Sequence, residues 1–172
     1  MISERLKLGE KKEYPEWEEK ELTLMTPGPT QVSENVRHVR AYNVSSPILD
    51  ARFFDFYKET CQRMSELLGT KNPFYIMNGE GILGLEAACA SLTEEGDRVL
   101  ILDNGVFGNG FADFVTLYRG EPVLAEFDYH KPIGYEELKA YLEKDHDFKY
   151  ATLVHSDTPS GVLNPVEKLC PL

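Results

Sequence analysis

Cysteine, histidine and positive charge are all scarce in this chain, and each shortage removes a class of function. Its 172 residues hold three cysteines and four histidines. Cys61, Cys89 and Cys170 are odd in number, far apart and without metal-ligand spacing, so neither a disulfide framework nor a cysteine-based metal centre is expected. Cys61 and Cys89 fall on apolar helix faces, where each would serve as a small buried hydrophobe. His38, His130 and His146 show no ligand pairing, and no metal site is expected. Lys and Arg number 18 against 29 Asp and Glu, a formal charge of −11. That sign is wrong for nucleic-acid phosphates and for an anionic membrane surface. No apolar run approaches the length of a membrane span. The start, Met1-Ile2-Ser3-Glu4-Arg5, leads into charge rather than an apolar core, which argues against a secretory leader and for a reducing, cytoplasmic setting.

What remains is an ordinary soluble composition, 42% hydrophobic and 27% charged, in a chain of one-domain length that can bury a real core. Residues 1–21 are dense in charge and read as an N-terminal extension. Residues 22–172 read as the folded part. A helix is expected over 52–68, with Phe53, Phe56, Tyr57, Thr60, Met64, Leu67 and Leu68 on one stripe and Gly69 after its end. From Phe74 onward the pattern alternates. Strands are expected at Phe74–Met77, Arg98–Leu102, Pro122–Phe127 and Tyr150–Val154, with helices at 82–92, 108–119 and 135–144 between them. Strand starts 24, 24 and 28 residues apart fit βαβ units with a parallel sheet covered on both faces. Right-handed crossovers would gather the loops after each strand on one sheet edge, where such folds bind ligands.

Four short motifs stand out. They are Thr26-Pro27-Gly28-Pro29-Thr30, Asn78-Gly79-Glu80-Gly81, Asn104-Gly105-Val106-Phe107-Gly108 and His155-Ser156-Asp157-Thr158-Pro159-Ser160-Gly161. The second lies between an apolar run and a helix whose Ile82, Leu85, Cys89 and Leu92 share one face. Small residues there admit close approach of a ligand, and the leading N–H groups of a helix favour an anion. A ligand-free turn uses the same residues. Phe107 suits either stacking on a flat ring or core packing, and Thr158 either a ligand hydrogen bond or a turn hydroxyl ahead of Pro159. A His155–Ser156–Asp157 triad is rejected, because residues adjacent in one loop do not converge as a triad does. The Pro-Gly-Pro turn is by itself a rigid connector.

In this order and at this spacing, the four motifs closely resemble the N-terminal half of the class V, pyridoxal-phosphate-dependent aminotransferases, in particular the alanine–glyoxylate and serine–pyruvate transaminases. The resemblance runs from about Leu24 to the last residue. It implies an α/β fold, the aspartate-aminotransferase-like large domain, here incomplete: a mainly parallel sheet with helices on both faces. It implies pyridoxal 5'-phosphate, held at the phosphate by Gly79, Glu80, Gly81 and Ile82. Phe107 would stack on the pyridine ring, Thr158 would bond near its phenolic oxygen, and Gly28 would close over the substrate. It also implies a small amino acid and a 2-oxo acid as substrates, with 2-aminoethylphosphonate–pyruvate transamination as the alternative, and a homodimer. A non-catalytic phosphate- or cofactor-binding module is the reading from another class.

Two departures matter. The family usually carries a hydroxyl residue where Glu80 stands, and often His or Thr where Ile82 stands. A carboxylate about 4 Å from a phosphate charge costs on the order of 4 kcal/mol at an effective dielectric near 20. The second departure is the lysine that forms the family's Schiff base. Lys71, Lys131 and Lys149 match no family position, so no catalytic residue is assigned. The reading is of a fragment truncated before the lysine-bearing part. Asn164-Pro165 looks like a helix start, with Asn164 as the cap.

Overall fold

Val99, Leu100, Ile101 and Leu102 are buried in succession, at 0, 1, 0 and 4% exposure, the signature of a strand covered on both faces. They lie in β1 (Arg98–Asp103), the middle of a three-stranded sheet of order β2-β1-β3. The computed structural model describes residues 23–42 and 46–172; the charged 1–21 stretch lies outside them. The chain divides into two units, Met1–Val44 and Ser45–Leu172.

In the first unit, the Thr26 hydroxyl donates to the carbonyl oxygen of Pro29 over 2.9 Å, closing the Pro-Gly-Pro turn, and Gly28–Pro29 is cis. Helix α1 (Glu34–Arg40) follows and buries no residue.

The second unit holds the sheet. β2 (Glu121–Glu126) and β3 (Tyr150–Thr152) both run parallel to β1, with Leu100 opposite Val123 on one side and Ala151 on the other. Alternate residues of β1 point to opposite faces. Val99 and Ile101 pack on Val115 of α5 (Phe111–Leu117). Leu100 and Leu102 pack on Leu138 of α6 (Tyr135–Leu142) and Leu169 of α7 (Val166–Leu169). Each such side chain contributes about 1.5–3 kcal/mol by burial. The parallel sheet with helices on both faces is therefore as expected. A short antiparallel pair, β4 (Ser156–Asp157) with β5 (Val162–Leu163), precedes α7.

Three expectations need correction. Phe74–Met77 is not a strand. Among the described residues no strand lies beside it, and the Tyr57 hydroxyl of α2 (Ala51–Leu67) takes the strand-partner role. That hydroxyl accepts from the Ile76 N–H and donates to the Ile76 carbonyl oxygen, each over 2.9 Å. Second, α3 (Gly81–Leu92) buries a different face from the one expected. Ile82, Leu85 and Leu92 are 57, 44 and 52% exposed, while Cys89 is buried and Leu83, Glu86, Ala87 and Ala90 are half-buried. This helix is apolar nearly all round, so its period could not select a face. Third, Asn164 does not cap α7. It is 1% exposed, its Oδ1 accepts from the Ile133 N–H over 3.0 Å, and its Nδ2 donates to the Val154 carbonyl over 2.8 Å. Its amide thus ties the turn before α6 to the end of the β3 segment.

Candidate functional site

β1 ends in Asp103, and the chain turns at once through Asn104-Gly105 into α4 (Val106–Asn109), which carries Phe107. Gly105 sits at φ 155°, a conformation closed to residues with a Cβ, and an added Cβ would lie 2.5 Å from Asp157 Cγ. The space that this glycine leaves is filled by the Asp157 carboxylate, which is 1% exposed. Asp157 Oδ1 accepts from the Phe107 N–H over 3.3 Å; Oδ2 accepts from the Ser160 N–H over 3.1 Å and from Ser160 Oγ over 2.8 Å. Two of the three motifs expected at the sheet edge, those after β1 and β3, are thereby joined at the carboxyl ends of these strands. Every recorded bond of the Asp157 carboxylate goes to Phe107 or Ser160, which leaves no triad with His155 and Ser156.

Phe107 is 50% exposed and is not a core side chain. Thr158 is exposed, and its hydroxyl has no hydrogen-bond partner among the described residues. Asn104 is buried, and its Nδ2 donates to the carbonyls of Asp128 and Lys131 over 2.6 and 3.1 Å. Those two bonds orient the amide and leave Oδ1 buried without a partner among the described residues.

The Gly79–Ile82 turn opens α3 as expected. The Leu83 N–H donates to the Glu80 carbonyl oxygen over 3.0 Å, leaving those of Gly81 and Ile82 as the leading donors of the helix. Glu80 is the N-cap, but its side chain makes no capping bond, and it is exposed. A concavity of about 290 Å³ beside it is lined by Phe74–Met77 and the turn. Among the described residues no hydrogen bond joins this turn to Phe107 or Thr158, so the structure brings together two of the three loops by direct contact. Gly28 belongs to the first unit.

Sequence reasoning missed a further cluster at the same sheet edge. Asp103, 4% exposed, accepts from the Tyr129 hydroxyl over 2.5 Å and from Asn109 Nδ2 over 2.8 Å. Its place after four apolar strand residues was the available signal; Tyr129, 26 positions on, offered none. The bond to Asp103, followed by burial and by neighbouring carboxylates, pushes the Tyr129 phenol up to about 12. The unfolded value is near 10. Stability from this group is therefore complete below about pH 10 and lost as the pH rises through about 12. Urea unfolding at pH 9 and at pH 11 should show a smaller alkaline loss for Tyr129→Phe than for the wild type. Equal losses would show that the phenol is not held by Asp103.

The cofactor that the family resemblance implies can be set against these residues. An exposed aromatic side chain and an exposed, unpartnered hydroxyl fit a flat ring with polar substituents. The leading N–H groups of α3 fit an anion. Glu80 alone fits poorly, and its exposure lets the carboxylate turn to solvent.

No protein-family model matches the chain. An uncharacterized aminotransferase of Methanocaldococcus jannaschii is 30% identical over 149 residues, which are 85% of this chain and 38% of that protein. The crystal structure of pyridoxamine–pyruvate aminotransferase from Mesorhizobium loti superposes with a TM-score of 0.79 at 29% identity, covering 86% of this chain and 38% of the other. Alanine–glyoxylate aminotransferase from a Nostoc species gives a TM-score of 0.74 at 30% identity, covering 84% of this chain and 39% of the other. Relatives named as 2-aminoethylphosphonate–pyruvate transaminases match as well. The chain is thus homologous to aminotransferases, and its fold is part of the aspartate-aminotransferase-like one. It spans about two-fifths of the length of these relatives.

Proposed function

We propose that this chain is the N-terminal, cofactor-binding part of a class V aminotransferase that moves an amino group from a small amino acid to a 2-oxo acid such as glyoxylate or pyruvate. The observation that carries the reading is the meeting of the Phe107 and Thr158–Ser160 loops on one buried carboxylate at the carboxyl edge of the sheet. Pyridoxal phosphate, when bound, supplies the electron sink for amino transfer. Toward it, Phe107 offers a stacking face worth about 0.5–1.5 kcal/mol beyond burial. Thr158 offers a donor for the phenolic oxygen, and Gly81 and Ile82 offer backbone N–H groups for the phosphate. Gly28 is assigned to the substrate side by resemblance. A homodimer in the cytoplasm completes the proposal. Transamination of 2-aminoethylphosphonate with pyruvate is the alternative within the same class.

No lysine here matches a family position for the covalent bond to the cofactor. Borohydride reduction of chain mixed with pyridoxal phosphate is accordingly expected to label surface lysines sparsely and at random. One stoichiometric adduct on a single lysine, mapped by mass spectrometry, would contradict this.

Glu80 favours a second reading, in which the ring bound here is unphosphorylated, as in the pyridoxamine for which one relative is named. A carboxylate at the leading turn of α3 opposes a phosphate yet accepts a bond from a 5'-hydroxyl. Pyridoxal and pyridoxal 5'-phosphate, titrated separately, decide between them. Wild-type preference for pyridoxal, reversed by about tenfold or more in Glu80→Ser, supports the unphosphorylated ring. Preference for the phosphate form in the wild type, unchanged by that substitution, means that Glu80 faces away and the first reading stands.

A further inference from the structure

We propose that Asp157 is a positioning residue, whose two carboxylate oxygens hold the ring-stacking and the hydroxyl-donating halves of the site in one fixed relation. The inference rests on the cofactor-binding reading above. The carboxylate divides its work by oxygen. Oδ2 serves its own loop, taking the Ser160 N–H and Oγ at 3.1 and 2.8 Å, and so shapes the turn that carries Thr158. Oδ1 crosses to the other loop and takes the Phe107 N–H at 3.3 Å. The carboxylate is 1% exposed and no cation pairs with it among the described residues, so these donors are what compensate its burial. Its own carbonyl oxygen accepts from the Gly161 N–H over 2.9 Å, and its partner on β5 is Val162, which fixes the backbone from which the side chain reaches across. Gly105 completes the arrangement, because any Cβ there would occupy the carboxylate's place.

An amide cannot reproduce this division. Whichever way an asparagine turned, its NH2 would face either the Phe107 or the Ser160 N–H, donor against donor. Asp157→Asn should therefore uncouple the loops, whereas Ser160→Ala removes one bond to Oδ2 and leaves the Phe107 tie intact. The first measurement uses the wild type alone: amide hydrogen exchange at Phe107 is expected to be slowed about a hundredfold or more relative to free peptide. Exchange at the free-peptide rate would overturn the proposal, whatever the variants do.

The second measurement follows amide shifts during titration with pyridoxal and pyridoxal 5'-phosphate. In the wild type, Phe107 and Thr158 should move on one isotherm. In Asp157→Asn, Phe107 protection should fall, binding should weaken about tenfold, and the two residues should no longer move together, while protection of Val99–Leu102 persists. Ser160→Ala should keep Phe107 protected. Retained co-movement and affinity in Asp157→Asn would reduce the residue to a structural part and overturn the proposal. If neither ligand shifts Phe107 or Thr158 in the wild type, the cofactor reading fails and the positioning role with it. Loss of the clasp alone leaves the cofactor reading standing.

Discussion

Gly105→Ala is expected to destabilise the sheet-bearing unit by about 3 kcal/mol or more, and to abolish folding if the margin is small. Two costs add. The backbone at φ 155°, ψ 174° is open essentially to glycine alone. The new methyl group would also meet Asp157 at 2.5 Å from Cγ and 2.7 Å from each oxygen. That carboxylate cannot retreat, because it is buried and its partners are backbone N–H groups and a hydroxyl of fixed loops. Equilibrium urea unfolding reads the effect as a fall in midpoint. For comparison, Gly84→Ala inside α3 has open space at its Cβ and no positive φ, so it should be neutral or mildly stabilising. A Gly105 variant within about 0.5 kcal/mol of the wild type would mean that the turn and the buried carboxylate are not arranged as described.

The second large effect is self-association. Ile82, Leu85 and Leu92 leave one side of α3 open at 57, 44 and 52% exposure, and Tyr75, Ile76 and Met77 add 71, 46 and 49%. A helix apolar on nearly all sides belongs in an interior, and large apolar patches on soluble proteins mark contact surfaces. β3 also presents an outer edge of three residues with no neighbouring strand among those described, and unpaired edges template pairing. The charge of −11 opposes association, but at physiological salt the Debye length is about 8 Å and the repulsion is screened. Sedimentation at several concentrations in moderate salt is therefore expected to show oligomers, and Leu85→Glu with Leu92→Glu to shift the population toward monomer. A monodisperse wild-type monomer at every concentration would show that this face needs no cover.

The sequence revealed the frame well where physics was local and repetitive. The run Val99–Leu102 and the spacing of the three later apolar runs specified a parallel sheet with crossover helices, and the structure has them. It failed where a partner lies far along the chain. Phe74–Met77 has strand composition, yet a strand exists only beside another strand, and here a tyrosine hydroxyl from α2 stands in its place. Asn164 before a proline looks like a cap, but its amide is drawn 31 positions away to Ile133. At the candidate site, motif order singles out Phe107 and the loop carrying Thr158, but not the contact of their two loops through Asp157. Asp157 drew attention only as a member of a triad, because nothing in a linear pattern says that Gly105 leaves a gap for it. Tyr129 was invisible for the same reason, being a loop residue that matters only through the buried Asp103.

The central claim, that the loops after β1 and β3 and the opening turn of α3 form one ring-binding site, is tested most directly by mapping where a ring binds. The intact chain, labelled for amide detection, is titrated with pyridoxal 5'-phosphate and with pyridoxal. On the proposal that no lysine of this chain anchors the ring covalently, affinity on the order of millimolar is expected, equivalent to about 4 kcal/mol. The account predicts saturable shifts at Gly81, Ile82, Phe107 and Thr158 that follow a single isotherm for the preferred ligand. Shifts scattered over surface lysines, or separate isotherms for the three loops, would contradict it.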